Sequence, residues 1–536
     1  MADLKSSASS RRSKSNSLAK STGLARWKDL AGIILLLAAV SGAAAWWCFA
    51  HGYTLSYGDA EAHLNIARRV LDSRTPGGEQ LGTVWLPLPH VLMIPFVMRA
   101  ASNNAAWTSG TGGVIPVAAC FVLAGTFLFA AARRLYASAA AGCAAAMLFA
   151  LNPNMLYLQS TPMTEPVFAA ALAALLWATV RYRESPSAAA LLAMAAASNA
   201  AALTRYEGWF LIPFVAVYVL IASRKKSHAI VFAVLAALGP LAWLAHNQYY
   251  YNNPLEFYNG EYSSGAIYAR QLAQGVARYP GDHDWRKTFE YYFAAVKLAE
   301  GIPLLLCGAA GLLVALAKPA LLKKAWWPML LLALPPVFYV WSIHSSGTPL
   351  YVPGLWPHSW YNTRYALAGL PLASLAAASL VAIVPAKARL AALVLVAAIS
   401  ASWAWTDAPV VWKESQVNSV ARRAWTGQAG AYLAEHYRAG DGVIYTFGDL
   451  TGVLREAGIP LREGLHQGNH PAWDAAIARP DLFFREEWVL AMAGDAVAAA
   501  VLRVPPSGAH YELQKRFIVE GAPAIEIYQR QRAKLP

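Results

Sequence analysis

The sequence predicts an all-α polytopic membrane protein of about 11 transmembrane helices, followed by a C-terminal soluble α/β domain. The first observation behind this fold class is the composition, because 57% of the 536 residues are hydrophobic and only 14% are charged. The second is the recurrence of apolar runs close to the roughly 20 residues that cross a bilayer. The third is the placement of the Lys and Arg residues in short loops between these runs, as the positive-inside rule expects. We therefore attribute the formal net charge of +14 to membrane orientation and expect no nucleic-acid partner.

The N-terminal part predicts a cytoplasmic tail, a first span and a large external loop. Residues 1–29 are basic and Ser-rich, which is typical of a disordered tail. The first span, 30–49, runs outward. We expect two surface helices in the following loop, at 59–73 and 84–97, because the first has one polar edge and the second contains three prolines. Counting the second helix as a span would place every later Arg/Lys cluster outside.

The remaining spans follow from apolar length and from the basic loops, of which Arg133-Arg134 is typical. They are predicted at 114–132, 139–158, 165–180, 188–203, 209–222, 229–245, 292–317, 326–343, 365–384 and 390–405. We therefore expect a transmembrane domain over residues 30–410. Residues 411–536 alternate predicted strands (443–447, 487–490, 511–519 and 525–528) with helical segments, which predicts an external α/β domain.

Two groups of acidic residues in the external loops are candidates for catalysis. Asp59, Glu61 and His63 lie between the first span and the first surface helix, where a carboxylate can do acid–base work. The alternative is a solvated helix face. Glu165 follows Thr164, which can cap the next helix, so that Glu165 is either a capping carboxylate or part of the site.

Arginines in external loops are candidates for phosphate binding, because the guanidinium fork matches phosphate oxygens. Arg205 and Glu207 lie at one membrane boundary, as a structural ion pair or as an anion contact. Arg364 enters from an external loop, which the positive-inside rule does not explain. The Tyr-rich loop 247–290, which carries Arg270, suits a ligand that is half lipid and half sugar, or a simple interfacial anchor.

The order and sidedness of these motifs resemble the GT-C glycosyltransferases, polytopic enzymes that use polyprenyl-phosphate-linked sugars. The likeness covers roughly residues 30 to 405 and is greatest to the protein O-mannosyltransferases and lipid A aminoarabinose transferases. It rests on Gly58-Asp59-Ala60-Glu61, on the two surface helices and on Thr164-Glu165-Pro166. Relatives often have a basic residue before Pro-Pro-Leu in the second surface helix, where this chain has Trp85-Leu86-Pro87-Leu88. The tryptophan-based motif of oligosaccharyltransferases is not found, so transfer to asparagine is not expected.

The resemblance implies inverting transfer of one sugar from a polyprenyl-phosphate donor to a hydroxyl of a lipid, glycan or protein acceptor. Asp59 is the expected base, with Glu61 and Glu165 as further catalytic residues. The residues expected to bind the donor phosphate or its lipid carrier are Arg205, Arg364, Arg270, His90 and Tyr361. Those expected to bind the acceptor or the sugar are His63, Glu207, Trp85 and Tyr206. The main alternative is a transporter or flippase of lipid-linked sugars, which would need polar groups at mid-membrane. A glycan-binding protein with a membrane anchor is the other alternative.

No cofactor is expected. Asp59, Glu61 and Glu165 could hold a divalent cation, but protein-type relatives mostly work without one. His466 and His470 have metal-like spacing, although Gly468 and Pro471 disfavour the helix that would align them. The expected location is the inner membrane of a bacterium, with a cytoplasmic N-terminus and a periplasmic C-terminal domain.

Overall fold

The structure is a computed structural model that describes residues 27–98, 105–402, 409–504 and 510–531. Residues 1–26 of the predicted N-terminal tail lie outside the described residues, and residues 27–29 already belong to the first helix.

The membrane part is helical, and a cavity lies at one end of its helix bundle. Its helices are α1 (Trp27–Ala50), α2 (Gly58–Arg69), α3 (Leu88–Met98), α4 (Ala105–Thr108), α5 (Thr111–Tyr136), α6 (Ala139–Ala150), α7 (Pro153–Gln159), α8 (Glu165–Glu184), α9 (Ala188–Ala202), α10 (Glu207–Ala222), α11 (Ser227–Tyr251), α12 (Glu256–Asn259), α13 (Ser264–Ala273), α14 (Trp285–Glu300), α15 (Ile302–Ala317), α16 (Pro319–His344), α17 (Leu370–Ile383) and α18 (Arg389–Ala401). A 3₁₀ turn, Thr363–Gly369, leads into α17.

Every predicted span falls largely on helix within the described residues, and residues 403–405 of the last one lie outside them. The predicted count of about 11 is not confirmed by helix length and composition. Within the described residues, five helices are long and apolar enough to cross a membrane, or up to seven if each of two bent pairs is one span. The apolar helices α9 and α10 contain only 15 and 16 residues. At 1.5 Å per residue such helices reach about 24 Å, less than the hydrocarbon core of about 30 Å.

Two segments predicted as single spans are broken helices. The pair α6/α7 bends by 70° and the pair α14/α15 by 103°. The first break occurs because Asn152 caps α7 with its side chain and Pro153 starts that helix. The second occurs at Gly301, whose φ of 89° cannot continue a helix. The two breaks meet, since the side-chain amides of Asn152 and Asn154 both donate to the carbonyl of Ala299 at 2.9 Å.

The basic loops lie at one end of the helix bundle. Arg134 binds Glu184 at 2.5 Å, and Arg183 donates to the carbonyl of Lys324 at 2.6 Å. The surface helices α2 and α3 follow the C-terminal end of α1 and precede the N-terminal end of α5, so they lie at the other end of the bundle. The basic loops around Arg134, Arg183 and Lys324 therefore lie at the end of the bundle opposite to α2 and α3.

The C-terminal part is a small α/β unit. Its helices are α19 (Val410–His436), α20 (Thr451–Ala457), α21 (Ala472–Ala478), α22 (Pro480–Phe483) and α23 (Ala496–Val501), and its strands are β1 (Val443–Tyr445), β2 (Gly464–Leu465), β3 (Trp488–Met492), β4 (Tyr511–Phe517) and β5 (Ile525–Arg530). The strand order is β2-β1-β3-β5-β4, with β1 parallel to β2 and β3 and with β5 antiparallel to β3 and β4. Four strands match predicted ones; β2 has only two residues, too few for an alternating pattern.

The first turn of α19 packs against the membrane helices and not against the sheet. Val410 and Val411 belong to the apolar core of the membrane part. Further along the same helix, Trp425 and Leu433 pack in the core beside the sheet. One continuous helix therefore connects the two parts of the chain.

Candidate functional site

A cavity of about 790 Å³ lies among the ends of several helices and the loops that connect them. It is lined by the start of α2, by the segments before α8 and α10, by the start of α13, by the end of α16 and by the turn before α17. Eight predicted site residues line it: Asp59, His63, Trp85, Glu165, Arg205, Tyr206, Glu207 and Arg364. The fold thus gathers side chains that are up to about 300 positions apart in the sequence.

Arg364 binds the two principal carboxylates. Its Nη2 lies 2.5 Å from Oδ2 of Asp59, its Nε lies 3.1 Å from Oε1 of Glu165, and its Nη1 donates to the hydroxyl of Tyr57 at 3.0 Å. Arg364 is 6% exposed, whereas the side chain of Asp59 is 38% exposed. Asp59 is therefore held in place from one side and is accessible from the cavity.

Arg205 forms a second centre that shares Glu165. Its Nη1 lies 3.1 Å from Oε1 of Glu165 and its Nε lies 2.8 Å from Oε1 of Glu207. Its Nη2 donates to the hydroxyl of Tyr339 at 2.6 Å. Glu165 thus bridges two guanidinium groups, and Arg205 is both an ion-pair partner and a cavity residue. The expected helix cap is wrong: the Thr164 hydroxyl does not cap α8 but accepts a hydrogen bond from Arg205 at 2.7 Å.

His63 faces the cavity as a neutral ring. Its Nδ1 lies 2.9 Å from Nε2 of His90, and its ring lies 4.4 Å from that of Trp85. Burial, and then the charges of Arg364 and Arg205, lower the pKa of His63 to about 3. Because His63 stays neutral at physiological pH, its ring has one donor and one acceptor nitrogen and can hydrogen-bond to an uncharged ligand.

Tyr206 joins two loops at the rim of the cavity. Its hydroxyl donates to the carbonyl of Val84 at 2.9 Å, and its ring stacks on Phe257 with centroids 5.1 Å apart. The loop that carries Trp85 is therefore tied to the segment before α10.

Glu61, by contrast, does not line the cavity. A helix turns about 100° per residue, so side chains two positions apart point to nearly opposite sides. Glu61 faces the C-terminal part, where it lies 2.9 Å from Nε of Arg455 and 3.6 Å from Nη1 of Arg422. Its side chain is 8% exposed.

Three predicted donor-binding residues also lie away from the cavity lining. His90 is fully buried behind His63. Arg270 is exposed on α13, whose first residues alone reach the cavity. Tyr361 pairs through its backbone with Tyr351, and its side chain is about half exposed.

Sequence reasoning missed Glu414, which lies beneath the cavity. Its Oε2 accepts hydrogen bonds from the backbone of Thr363 at 2.9 Å and from the Thr363 hydroxyl at 2.5 Å. Its Oε1 accepts from the backbone of Asn362 at 2.9 Å and from the hydroxyl of Tyr57. No local motif marks Glu414, because it lies in the segment assigned to the soluble domain. Tyr57 could have been found, since it lies two residues before Asp59.

Among the residues that the structure describes, no group of three or more His, Cys, Asp or Glu side chains is arranged to hold a metal ion. In the cavity, Arg364 occupies the space between Asp59 and Glu165. His466 accepts a hydrogen bond from the backbone of Gly468 at 3.0 Å, while His470 pairs with Asp474 at 2.7 Å. The two histidines of the metal-like spacing thus have separate partners.

Comparisons with known proteins find a matching family model and similar folds. The family model described as dolichyl-phosphate-mannose-protein mannosyltransferase matches residues 89–246. The fold is similar to that of ArnT from Cupriavidus metallidurans bound to undecaprenyl phosphate, with a TM-score of 0.57 and 15% identity over 94% of this chain and 98% of that chain. The same protein in the apo state gives a TM-score of 0.53 and 14% identity over 93% of this chain and 98% of that one.

The Archaeoglobus fulgidus oligosaccharyltransferase in the apo form gives a TM-score of 0.49 at 13% identity, over 86% of this chain and 69% of that one. A comparison with curated proteins finds no match. The family match and the shared fold confirm the predicted resemblance to the membrane glycosyltransferases of the GT-C superfamily.

Proposed function

We propose that the protein transfers one sugar from a polyprenyl-phosphate donor to an acceptor hydroxyl, with inversion at the anomeric carbon and with Asp59 as the base. The observation that carries this proposal is the accessibility of Asp59 at a cavity that Arg205 and Arg364 also line. A base must reach the proton that it removes, and Asp59 has the most exposed side chain among the paired carboxylates of the cavity.

In this reaction the acceptor oxygen attacks the anomeric carbon while the bond from that carbon to the phosphate oxygen breaks. The acceptor proton passes to Asp59, and the electron pair of the broken bond leaves with the polyprenyl phosphate. Attack from the face opposite to the phosphate gives inversion. Arg364 holds the Asp59 carboxylate at 2.5 Å, which fixes its direction before the acceptor arrives.

The charged side chains on one wall of the cavity can assist both the base and the anionic leaving group. Three carboxylates (Asp59, Glu165 and Glu207) face two guanidinium groups (Arg205 and Arg364). When Asp59 takes up the proton, the remaining charges of the wall balance. The phosphate therefore leaves past two arginines without opposing a net negative wall, in a site of reduced dielectric constant.

Apolar and polar parts of the cavity suit the two halves of the donor. Leu86, Met163, Phe338 and Trp341 offer apolar surface for the first units of a lipid chain. The neutral His63, together with Trp85, Tyr206 and Glu207, lines the cavity where sugar hydroxyl groups need ring faces and hydrogen-bond partners.

The placement of the other predicted residues changes their proposed roles. We assign Glu61 to the attachment of the C-terminal part, because two arginines enclose it. His90 orients His63 from behind. Arg270 and Tyr361 lie outside the cavity lining, so they would contact the lipid carrier only beyond its first units.

For the membrane arrangement we propose the predicted eleven crossings, with the bent pairs and the shorter helices included. The basic loops then face the cytoplasm, and the cavity and residues 411–536 face the external side, which is the periplasm in a Gram-negative bacterium. The acceptor, whether lipid, glycan or protein, would approach from that side.

We propose that the transfer needs no metal cofactor, since a guanidinium group fills the position between Asp59 and Glu165. Treatment with a chelator is expected to leave turnover unchanged. Restoration of lost turnover by Mg²⁺ or Mn²⁺ would contradict this.

The experiment that tests the function is a donor panel. Purified protein in detergent is given radiolabelled polyprenyl-phosphate monosaccharides together with crude membrane acceptors, and sugar transfer is measured. Transfer from one donor establishes the class and names the sugar. Movement of donors across the bilayer of proteoliposomes without transfer would instead favour the flippase.

A further inference from the structure

A carboxylate of the C-terminal part, Glu414 on α19, lies directly beneath the catalytic wall. It is 1% exposed and accepts four hydrogen bonds, from Tyr57, from the backbone of Asn362 and from both donors of Thr363. A buried carboxylate needs such partners to remain charged. These partners belong to the two segments that carry Asp59 and Arg364, so Glu414 contacts the backbone or side chains beside both residues.

The first route from Glu414 runs through the backbone that carries Arg364. Asn362 has a left-handed conformation, with φ of 59°, and Thr363 begins the helical turn after it. This sequence of conformations makes successive N–H groups converge on one anion. Glu414 is that anion, at 2.9 Å from both nitrogens. It therefore stabilises the turn from which Arg364 extends.

The second route runs through the side chain of Tyr57. A phenol has one proton, and that of Tyr57 is donated to Glu414. The oxygen of Tyr57 must then accept from Arg364, whose Nη1 lies 3.0 Å away. With Asp59 on Nη2 and Glu165 on Nε, every guanidinium nitrogen has a fixed partner.

The same helix also holds the segment that leads into α2. Nη2 of Arg422 donates to the carbonyls of Leu55 and Ser56 at 3.2 and 2.7 Å. Asp59 follows three residues later, in the first turn of α2. Thus α19 contacts the chain on both sides of the Asp59–Arg364 pair.

We infer that Glu414 is a positioning residue, which orients Arg364 and through it Asp59, and that α19 thereby makes the C-terminal part a component of the catalytic site. The catalytic consequence rests on the proposed function, whereas the positioning itself does not. The C-terminal part is then required for turnover even where acceptor choice is irrelevant.

The kinetic test uses Glu414→Gln and Tyr57→Phe, singly and together, with Glu435→Gln as the matched control at an exposed position of the same helix. We expect each single variant to lower kcat by about tenfold or more while KM for the donor changes less than about threefold. The double variant should be no slower than the slower single one, because both act through Arg364. Turnover of Glu414→Gln equal to that of the control, or multiplicative effects, would overturn the inference.

A structural measurement makes the test independent of activity. Structures of Glu414→Gln and Glu435→Gln in detergent should show Arg364 displaced from Asp59 and Glu165 only in the former. If Arg364 keeps both contacts in Glu414→Gln, Glu414 does not position it. Should wild type transfer no sugar from any donor, the proposed function fails, but the structures still decide the position of Arg364.

Discussion

Two arginine–carboxylate networks lie on opposite sides of α2, and they differ in access. We call the first the cavity network (Asp59, Glu165, Glu207, Arg205 and Arg364) and the second the domain network (Glu61, Asp449, Glu456, Arg422 and Arg455). In the cavity network Asp59 is 38% exposed beside a large cavity. In the domain network the central carboxylate, Glu61, is 8% exposed and lies between two arginines.

Residue type and position in the sequence are therefore not enough to predict the role of a carboxylate. Asp59 and Glu61 are two positions apart, both pair with arginine, and both lie in the first turn of α2. The turn of the helix sends one toward the ligand space and the other toward the C-terminal part. The cavity network lines the larger cavity, of about 790 Å³, whereas the domain network joins two parts of the chain and lines a smaller cavity of about 260 Å³.

The largest effect should come from Asp59→Asn. Loss of a general base costs about 10²- to 10⁴-fold in rate, so we expect kcat to fall by that range while donor binding persists. Sugar transfer and donor binding are both measured, with thermal unfolding in detergent as the control for folding. Wild-type turnover in this variant would remove Asp59 from the role of base.

Glu61→Gln should act on stability and not on chemistry. Without the Glu61 charge, Arg422 keeps only the exposed Asp449 and Arg455 only the exposed Glu456 as acidic partners, so we expect a loss of about 1 to 3 kcal/mol of unfolding free energy. The unfolding midpoint in detergent reports this loss, and kcat per folded molecule should stay within about twofold of wild type. Glu435→Gln is the exposed control. An unchanged midpoint together with a large fall in kcat would place Glu61 in the chemistry after all.

Lowering the pH should reduce the unfolding free energy through one buried histidine on each side of α2. Burial, and then nearby arginines, lower the pKa of His63 on the cavity side and of His466 on the domain side to about 3. Both rings bind protons in the unfolded chain below its ordinary value of about 6.5, so stability is complete above that pH and is lost as the pH falls toward 3. At pH 5 each ring should cost about 2 kcal/mol.

The measurement is the unfolding midpoint as a function of pH, with tryptophan fluorescence as the probe of unfolding. His63→Gln and His466→Gln should each flatten the profile between pH 6.5 and pH 5, whereas a substitution of the exposed His51 should not. A profile that neither buried substitution changes would contradict the assignment of neutral rings.

The smallest effect separates an arginine inside the cavity network from one outside both networks. Arg205→Lys loses the fork that binds Glu165 and Glu207 together, and we expect kcat/KM for the donor to fall about tenfold. Arg270→Lys makes the same substitution at an exposed site and should change little. Equal losses in the two variants would show that general positive charge, and not the cavity geometry, binds the donor.

The sequence by itself determined the helical class, the spacing of the basic loops and the alternating C-terminal part. These properties depend on local patterns: apolar length, the position of Lys and Arg, and strand periodicity. Asp59, Glu165, Arg205 and Arg364 were also predicted from sequence, as charged residues in external loops next to spans, and all four line the cavity.

Only the tertiary structure decided which side each candidate faces and which distant residues complete the site. The opposite orientation of Glu61 depends on where α20 packs, and the place of Glu414 depends on the path of α19 beneath the cavity. The breaks at Asn152 and Gly301 likewise depend on caps and backbone conformation that apolar length does not report. Hydropathy is a sum over neighbouring residues, whereas the lining of the cavity is an arrangement of side chains from remote segments, so the second cannot be obtained from the first.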